Sequence, residues 1–504
     1  MRLNKVIFIK NAAILTVTGL LIRFMGMFFR IWLAGAVGAE GIGLYSQIFS
    51  FYVLASAFAS AGINTAVTRL VAEELACGNS KGVRTVLSRC IAVTLLIAFV
   101  TSAIIFFQAG NIAIGIIGDA RAEDALRTLT LSLPFMGLSS CIKGYFIARK
   151  KTAPASSSQI FEQCIRISVV ILLLKHFSQN GLKAACNAVI MGDVVAETCS
   201  FIFVYISFLI DKKKHLSPSS GHNPDYSVFS KLRHIALPIT VGRYLNSILR
   251  TAENILVPKK LSEYGMDDSA ALSLFGVIKG MALPLIFFPA SFLNALSTLL
   301  IPEMSEAAAS GKAYKVKYTA EKVIHITCIT SFPIATVFFY AAYPLGKIIY
   351  SNPDAGEMIR FLSPIIPLMY LDSVSDGLLK GLDEQFSVFR NSMLDSLCRI
   401  GLIILILPHY GIKGFIFIMY ISNGFTSCMN FLRLKKISCA KIKWFKWIIF
   451  PSVAATCFGT VFSVILQNSA LNDLFFTIIL SLLTLIAYLT VIIKFGCITP
   501  EDLK

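Results

Sequence analysis

Four arginines sit where an apolar helix would be expected. Arg23 and Arg30 lie in "LLIRFMGMFFRIWLAG" (20–35), and Arg243 and Arg250 in "VGRYLNSILRTAENIL" (241–256). A seven-residue spacing is two helical turns, so each pair shares one face. Guanidinium keeps its charge at any relevant pH and grips phosphate or carboxylate through two parallel hydrogen bonds. A charge in the middle of a bilayer costs at least about 2.5–3.5 kcal/mol and normally faces a cavity or a partner. Four cations at two depths, about 10 Å apart by helical rise, suit a ligand with several negative charges. The competing reading is that each arginine locks helices through a carboxylate. Glu253 stands three residues beyond Arg250 and offers that neutralisation, whereas Arg23, Arg30 and Arg243 have no carboxylate within one turn.

Other ionisable residues in apolar surroundings divide into pairs. Glu162 with Arg166, and Asp395 with Arg399, are carboxylate–arginine pairs at i,i+4 in the favourable order and read as helix-locking contacts. Asp193 with Glu197, and Asp372 with Asp376, are each one turn apart on one face. Such paired carboxylates in a membrane are candidates to bind a proton or a monovalent cation and couple transport to a gradient. They are equally placed to pair with Lys143, Lys279 or the arginines.

The elements carrying these residues are transmembrane helices. The chain has 504 residues, 56% hydrophobic and 15% charged, with mean hydropathy +0.73; a soluble protein carries about 25% charged residues. Apolar windows of about 20 residues recur at roughly 11–36, 42–64, 86–108, 126–148, 156–175, 184–210, 234–257, 270–300, 320–345, 359–379, 386–408, 411–432, 444–467 and 473–494. The fold class expected is an all-α polytopic membrane protein of about fourteen helices. Arg2, Lys5, Lys10 and the following apolar run imitate a signal peptide, but Arg23 and Arg30 interrupt it.

With the N-terminus cytoplasmic, the inner loops carry Arg69, Lys81, Arg84 and Arg89; Arg149, Lys150 and Lys151; Lys212, Lys213 and Lys214; Lys312, Lys315, Lys317 and Lys322; and Arg433, Lys435, Lys436, Lys441, Lys443 and Lys446. The opposite loops are nearly free of lysine and arginine. This bias places both termini in the cytoplasm. It also accounts for most of the +18 net charge, so nucleic acid is not expected as a partner. The polar stretch "DKKKHLSPSSGHNPDYSVFSKLR" (211–233) reads as a cytoplasmic linker.

An internal repeat organises the helices. "LRTLTLSLPFMGL" (126–138) matches "IRFLSPIIPLMYL" (359–371) at an offset of 233, and the register holds through Gly144/Gly377, Glu162/Asp395, Arg166/Arg399 and His176/His409. "IRFMGMFFRI" (22–31) matches "GRYLNSILRT" (242–251) at an offset of 220. Six helices per copy means that both copies enter from the same side, a parallel repeat expected to enclose a cleft. The expected organisation is an N-terminal six-helix lobe (1–210), the linker (211–233), a C-terminal six-helix lobe (234–433) and two further transmembrane helices (434–504). Pro238, Pro284, Pro289, Gly26 and Gly35 are candidate bends. Twelve scattered cysteines and six scattered histidines give no zinc or disulfide pattern, and no phosphate loop or nucleophile elbow occurs. Neither a metal, a cofactor nor an enzymatic reaction is expected.

The segments "GAEGIGLYSQIFSFY" (38–52), "AGINTAVTRLVAEELACGN" (61–79), "ALPITVGRY" (236–244) and "ALSTLLIPEMSEAAASG" (295–311) resemble the stage V sporulation protein B group. That group belongs to the polysaccharide-exporter branch of the MATE-like (MOP) flippase superfamily. The resemblance covers nearly the full length, including the last two helices. It implies two six-helix bundles, and a lipid-linked saccharide, lipid-pyrophosphate in type, carried from the inner to the outer leaflet. It also implies a part for first-helix arginines in holding that substrate and a role in spore cortex synthesis. Ile31 follows Arg30 where lipid II flippases typically carry aspartate, so the resemblance does not name the precursor. The alternatives are a cation-coupled MATE-type multidrug antiporter, whose cationic substrates would favour carboxylates over four arginines, and a non-transporting membrane scaffold. A monomer is expected.

Overall fold

A computed structural model describes residues 2–60, 62–177, 181–215, 227–467 and 472–497. Among the described residues every regular element is helical, as the backbone of a membrane-spanning chain requires when no water is present to satisfy it.

The two longest helices are each a pair of spans joined at a glycine. α1 (Arg2–Ser60) breaks at Gly38, with φ 73 and ψ 178. α16 (Gln385–Ser438) breaks at Gly411, with φ 52 and ψ −133. Both backbone conformations strain a residue that has a Cβ. The bends thus fall at these two glycines, while the helix continues through Gly26 and Gly35. Pro284 lies in the first turn of the short α10 and Pro289 is the N-cap of the 20-residue α11, so both fall where one stretch of helix gives way to the next.

In the first half follow α2 (Ile63–Ala76), α3 (Ser80–Asn111), α4 (Glu123–Leu129), α5 (Leu133–Ala148), α6 (Ala153–Phe177) and α7 (Leu182–His215). α8 (Val228–Glu263) leads to α9 (Asp268–Gly276), α10 (Leu283–Phe287), α11 (Ala290–Ala309), α12 (Ala313–Tyr340), α13 (Ala342–Tyr350), α14 (Pro353–Leu362) and α15 (Ile366–Gly381). After α16 come α17 (Phe450–Gln467) and α18 (Asp473–Lys494). Counting α1 and α16 as two spans each, joining α4 to α5, α9 through α11 and α14 to α15, and leaving out α2 and α13, which are too short to cross, this order accommodates about fourteen crossings.

Element boundaries repeat with the sequence register. α5 and α15 begin and end 233 residues apart; α2 and α11 end, and α3 and α12 begin, at the same offset. Pro134 and Pro367 occupy the first turns of α5 and α15. α2 and α3 pack on α5 as α11 and α12 pack on α15. The repeated glycine has a steric reason. A Cβ on Gly144 would come within 2.8 Å of the Asn64 carbonyl oxygen, and one on Gly377 within 2.9 Å of Ser297 Cβ. Asn64 and Ser297 are themselves repeat mates.

By compactness the chain forms two units. The first comprises 1–29 and 36–259, the second 30–35 and 260–504. The seventh helix therefore groups spatially with the first six, although by repeat register it opens the second copy. Of the linker at 211–233, residues 216–226 lie outside the described residues, 211–215 complete α7, and α8 has begun by residue 228. Val228 and Leu232 enter a core of the first unit built on Ile63, Val67, Leu70, Val86 and Tyr145. Lys231 Nζ lies 3.2 Å from Glu73 Oε2.

Candidate functional site

α8 is seated on the second half of α1 by a stripe of polar contacts. Tyr244 donates its hydroxyl to the Phe58 carbonyl at 3.1 Å, with the two rings 4.2 Å apart. Thr251 Oγ1 donates to the Ser50 carbonyl at 3.1 Å, and Asn254 Nδ2 to Ser50 Oγ at 2.7 Å. Arg243 and Arg250 each stand one residue ahead of a residue in this stripe, and both are exposed. Arg23 and Arg30 are exposed as well. Arg250 Nε donates to Asn246 Oδ1 at 2.9 Å, one turn back on its own helix, while Glu253 is buried at 4% exposure. Among the described residues, no carboxylate forms an ion pair with Arg23, Arg30 or Arg243. Arg30 belongs to the second unit and the other three to the first.

The remaining intramembrane arginines behave differently. In the first unit, Arg166 Nη2 reaches Glu162 Oε1 at 2.9 Å and Nη1 reaches Gln163 Oε1 at 2.7 Å. Arg166 Nε lies 2.6 Å from Asp193 Oδ1, an ion pair whose geometry is not that of an aligned hydrogen bond. Lys143 Nζ approaches the other Glu162 oxygen at 3.8 Å. Glu197 is 7% exposed, and among the described residues no cationic side chain lies within ion-pairing distance of it.

In the second unit, Arg399 Nη2 donates to Asp395 Oδ2 at 2.5 Å and its Nε to Ser422 Oγ at 2.8 Å. Ser422 in turn donates to Asp395 Oδ1 at 2.5 Å, closing a triangle. Asp372 and Asp376 share a helix face but not a partner. Asp372 Oδ1 accepts from Asn430 Nδ2 at 2.8 Å, and Asn430 Oδ1 accepts from Asn391 Nδ2 at 2.9 Å. Asp376 Oδ2 takes Lys380 Nζ at 2.6 Å. Lys279 is half-buried on a π-helical turn, Val277–Ala282.

Sequence reasoning missed the neutral members of these networks, Asn391, Ser422 and Asn430. Repeat register held a signal for one of them, since Asn430 is the mate of Glu197. It also missed two charged clusters. Asp211 accepts from Tyr145 at 2.8 Å and Lys151 at 2.9 Å, and from Arg149. Arg121 joins Asp119 and Glu40 at 2.7 and 2.8 Å, tying the residues just after the Gly38 break to the turn that precedes α4. An open pocket of about 360 Å³ is lined by Asp124, Phe177, Lys183, Asn187 and Met191. Its charges are already matched, with Lys183 Nζ 2.8 Å from Asp124.

Helices of this length and hydropathy define a multi-pass membrane protein. Solved structures share the fold. A lipid II flippase MurJ in an inward closed conformation superposes with a TM-score of 0.71 at 15% identity, covering 94% of this chain and 96% of that one. An inward-facing multidrug resistance transporter of the MATE family, MOP superfamily, gives 0.65 at 13% identity over 84% and 98%. The chain belongs to the polysaccharide biosynthesis protein family, whose profile matches residues 8–307. It is 26% identical to stage V sporulation protein B of Bacillus subtilis (strain 168) over 466 residues, 91% of this chain and 89% of that protein. It is 23% identical to lipid II flippase MurJ of the same organism over 407 residues, 75% and 73% of the two chains. The resemblance read from the motifs therefore holds at the level of family and fold.

Proposed function

We propose that this protein flips an anionic lipid-linked oligosaccharide across the bacterial cytoplasmic membrane by alternating access. A cell-wall or spore-cortex peptidoglycan precursor, or another polysaccharide unit, fits the reading. Arg23, Arg30, Arg243 and Arg250 hold its pyrophosphate. The observation that carries this is a contrast in pairing. Arg166 and Arg399 are bound to carboxylates, whereas the four candidate arginines are exposed and have no acidic partner among the described residues. An unpaired cation on an apolar helix is costly, so its retention points to an anionic ligand. The similarity to stage V sporulation protein B and to a lipid II flippase supports the same substrate class. The lysine and arginine distribution supports cytoplasmic termini.

The test is Arg23→Ala and Arg243→Ala, each assayed for complementation of a deletion strain and for leaflet-resolved accumulation of lipid-linked precursor. Both variants are expected in the membrane at normal level with transport lost. Full complementation by both overturns the reading. A coupling ion belongs to the same reading: buried Asp193 and Glu197 bind a proton or monovalent cation. Under this reading Glu197→Gln makes transport insensitive to the imposed ion gradient, and an unchanged gradient response rules the site out.

A further inference from the structure

Two basic segments far apart in sequence converge at one end of the second unit. One is the start of α12, with Lys312, Lys315 and Lys317. The other runs from the end of α16 to the start of α17, with Lys435, Lys436, Lys441, Lys443 and Lys446. The backbone N–H of Lys441 donates to Glu321 Oε1 on α12 at 2.7 Å. The Trp447 ring stacks on His325 of α12 with centroids 4.7 Å apart. α12 also packs along α17 and along the π-helical turn Phe445–Ile449 before it.

The combined surface is basic and aromatic together. Lys435, Lys436, Lys441, Lys443 and Lys446 are exposed, and among the described residues none of them has an acidic partner. Beside them Trp444 is 53% exposed, Phe445 65%, Tyr314 81% and Tyr318 46%. Trp444 is braced edge-on by Phe431 at 6.3 Å. Aromatic rings with one wet edge settle at headgroup depth. Lysines reach past them to phosphate while their stems stay in the apolar layer. The repeat mate of the α12 start, 80–89, carries Lys81, Arg84 and Arg89 but no aromatic residue, and the mate of 435–446, 202–213, holds its Lys212 over the Phe208 ring at 6.0 Å. An orientation signal alone would need only the charges; Lys315 and Lys317 are held by Glu303 at 2.8 Å and Glu321 at 3.9 Å, and the exposed rings beside the five lysines of 435–446 that lack an acidic partner among the described residues make a surface that grips headgroups.

We propose that this rim of the second unit is a docking platform for anionic phospholipid headgroups, recruiting them from the surrounding bilayer independently of the transported substrate. Each lysine near an anionic surface is worth about fivefold in local enrichment, and the attraction is screened within a Debye length of about 10 Å at 0.1 M salt. The test uses the full chain in nanodiscs containing either dibrominated-tail phosphatidylglycerol or dibrominated-tail phosphatidylcholine at equal mole fraction, with quenching of tryptophan emission as the readout. The expected result is stronger quenching by the phosphatidylglycerol. That excess falls several-fold in Trp444→Phe, in the combined Lys435→Gln, Lys436→Gln, Lys443→Gln and Lys446→Gln variant, and in the unaltered protein between 50 and 500 mM salt (probe conditions set at about the screening range). A Lys81→Gln, Arg84→Gln and Arg89→Gln variant keeps it. Equal quenching by the two lipids, or an equal loss in the first-unit variant, overturns the proposal. So does abolition of the excess by millimolar inorganic pyrophosphate, which would identify a site for soluble phosphate. The salt titration keeps the test decisive if the fourfold variant does not fold.

Discussion

The two units carry buried polar networks at the same repeat register, and they neutralise charge by different means. Ser139, Lys143, Glu162, Arg166 and Glu197 of the first occupy the positions of Asp372, Asp376, Asp395, Arg399 and Asn430 of the second. The carboxylate–arginine pair is common to both. Around it, the first unit relies on charge against charge, with Asp193 also drawn to Arg166 and Lys143 to Glu162. The second uses hydroxyl and amide groups, Ser422 on Asp395 and Asn430 on Asp372. At the loop between spans the pattern swaps sign: Lys151 bonds Asp211 in the first unit, and its mate Glu384 bonds Arg433 in the second. The common pair works as a helix lock, and each unit keeps one carboxyl without a cation among the described residues, buried Glu197 in the first and half-buried Asp372, held by the Asn430 amide, in the second.

This difference can be broken experimentally. Arg166→Ala strands Asp193 in a low-dielectric site and leaves Glu162 only Lys143 at 3.8 Å, and removing one partner of a buried pair costs about 3–5 kcal/mol. Arg399→Ala leaves Asp395 with the Ser422 hydroxyl, so its cost is expected at about 2 kcal/mol, near the value of one charge-assisted hydrogen bond. Thermal unfolding of the purified variants checks the order, and equal losses would remove the distinction between the units. Asn430→Ala withdraws the donor from Asp372 at an expected cost of about 1–3 kcal/mol. Aspartate at that position should cost more than alanine, because it would set a second carboxylate against Asp372. Detergent-stability midpoints for the two variants report this.

Smaller effects test the frame that the units share. Gly144→Ala and Gly377→Ala each force a Cβ into a neighbour, at about 1–3 kcal/mol for overpacking. The first should be worse, because its obstacle includes a backbone carbonyl and Val67 Cβ at 3.2 Å. Melting temperatures of the paired variants decide it. The smallest expected effect is acid-dependent. Hydrogen bonds from Arg433 at 2.7 and 3.0 Å hold the Glu384 carboxyl below its ordinary pKa. The depressed folded-state pKa adds stability that is present above the unfolded value and lost as pH falls through the folded one. Protection factors for hydrogen exchange at residues 382–388, corrected for the intrinsic pH dependence of amide exchange, should fall on acidification in the natural protein, and Glu384→Gln should remove that fall.

Legibility in the sequence tracked the distance between partners. Glu162–Arg166 and Asp395–Arg399 were readable because helical geometry places i and i+4 side by side. Asp372 and Asp376 read equally well as a carboxylate pair, yet their partners are Asn430, 58 residues away, and Lys380. Glu253 looked available to Arg250, but Arg250 turns to Asn246 on the exposed flank while Glu253 is buried. Gly38 and Gly411 were not singled out as bends, because a glycine in an apolar run carries no sign of the backbone angle it will adopt.

Sequence by itself determined the number of spans, the repeat and its register of 233 residues, and the presence of four arginines in apolar helices. These are one-dimensional properties: a bilayer sets a length, and a duplicated fold preserves spacing. Tertiary structure alone decided which buried charges are neutralised, by what group, and which arginines remain unpaired. It also brought the lysines at the start of α12 and those between the end of α16 and α17 onto one rim. Such pairings depend on which helix faces which, and hydropathy is blind to that because apolar faces of equal length are interchangeable until side chains pack.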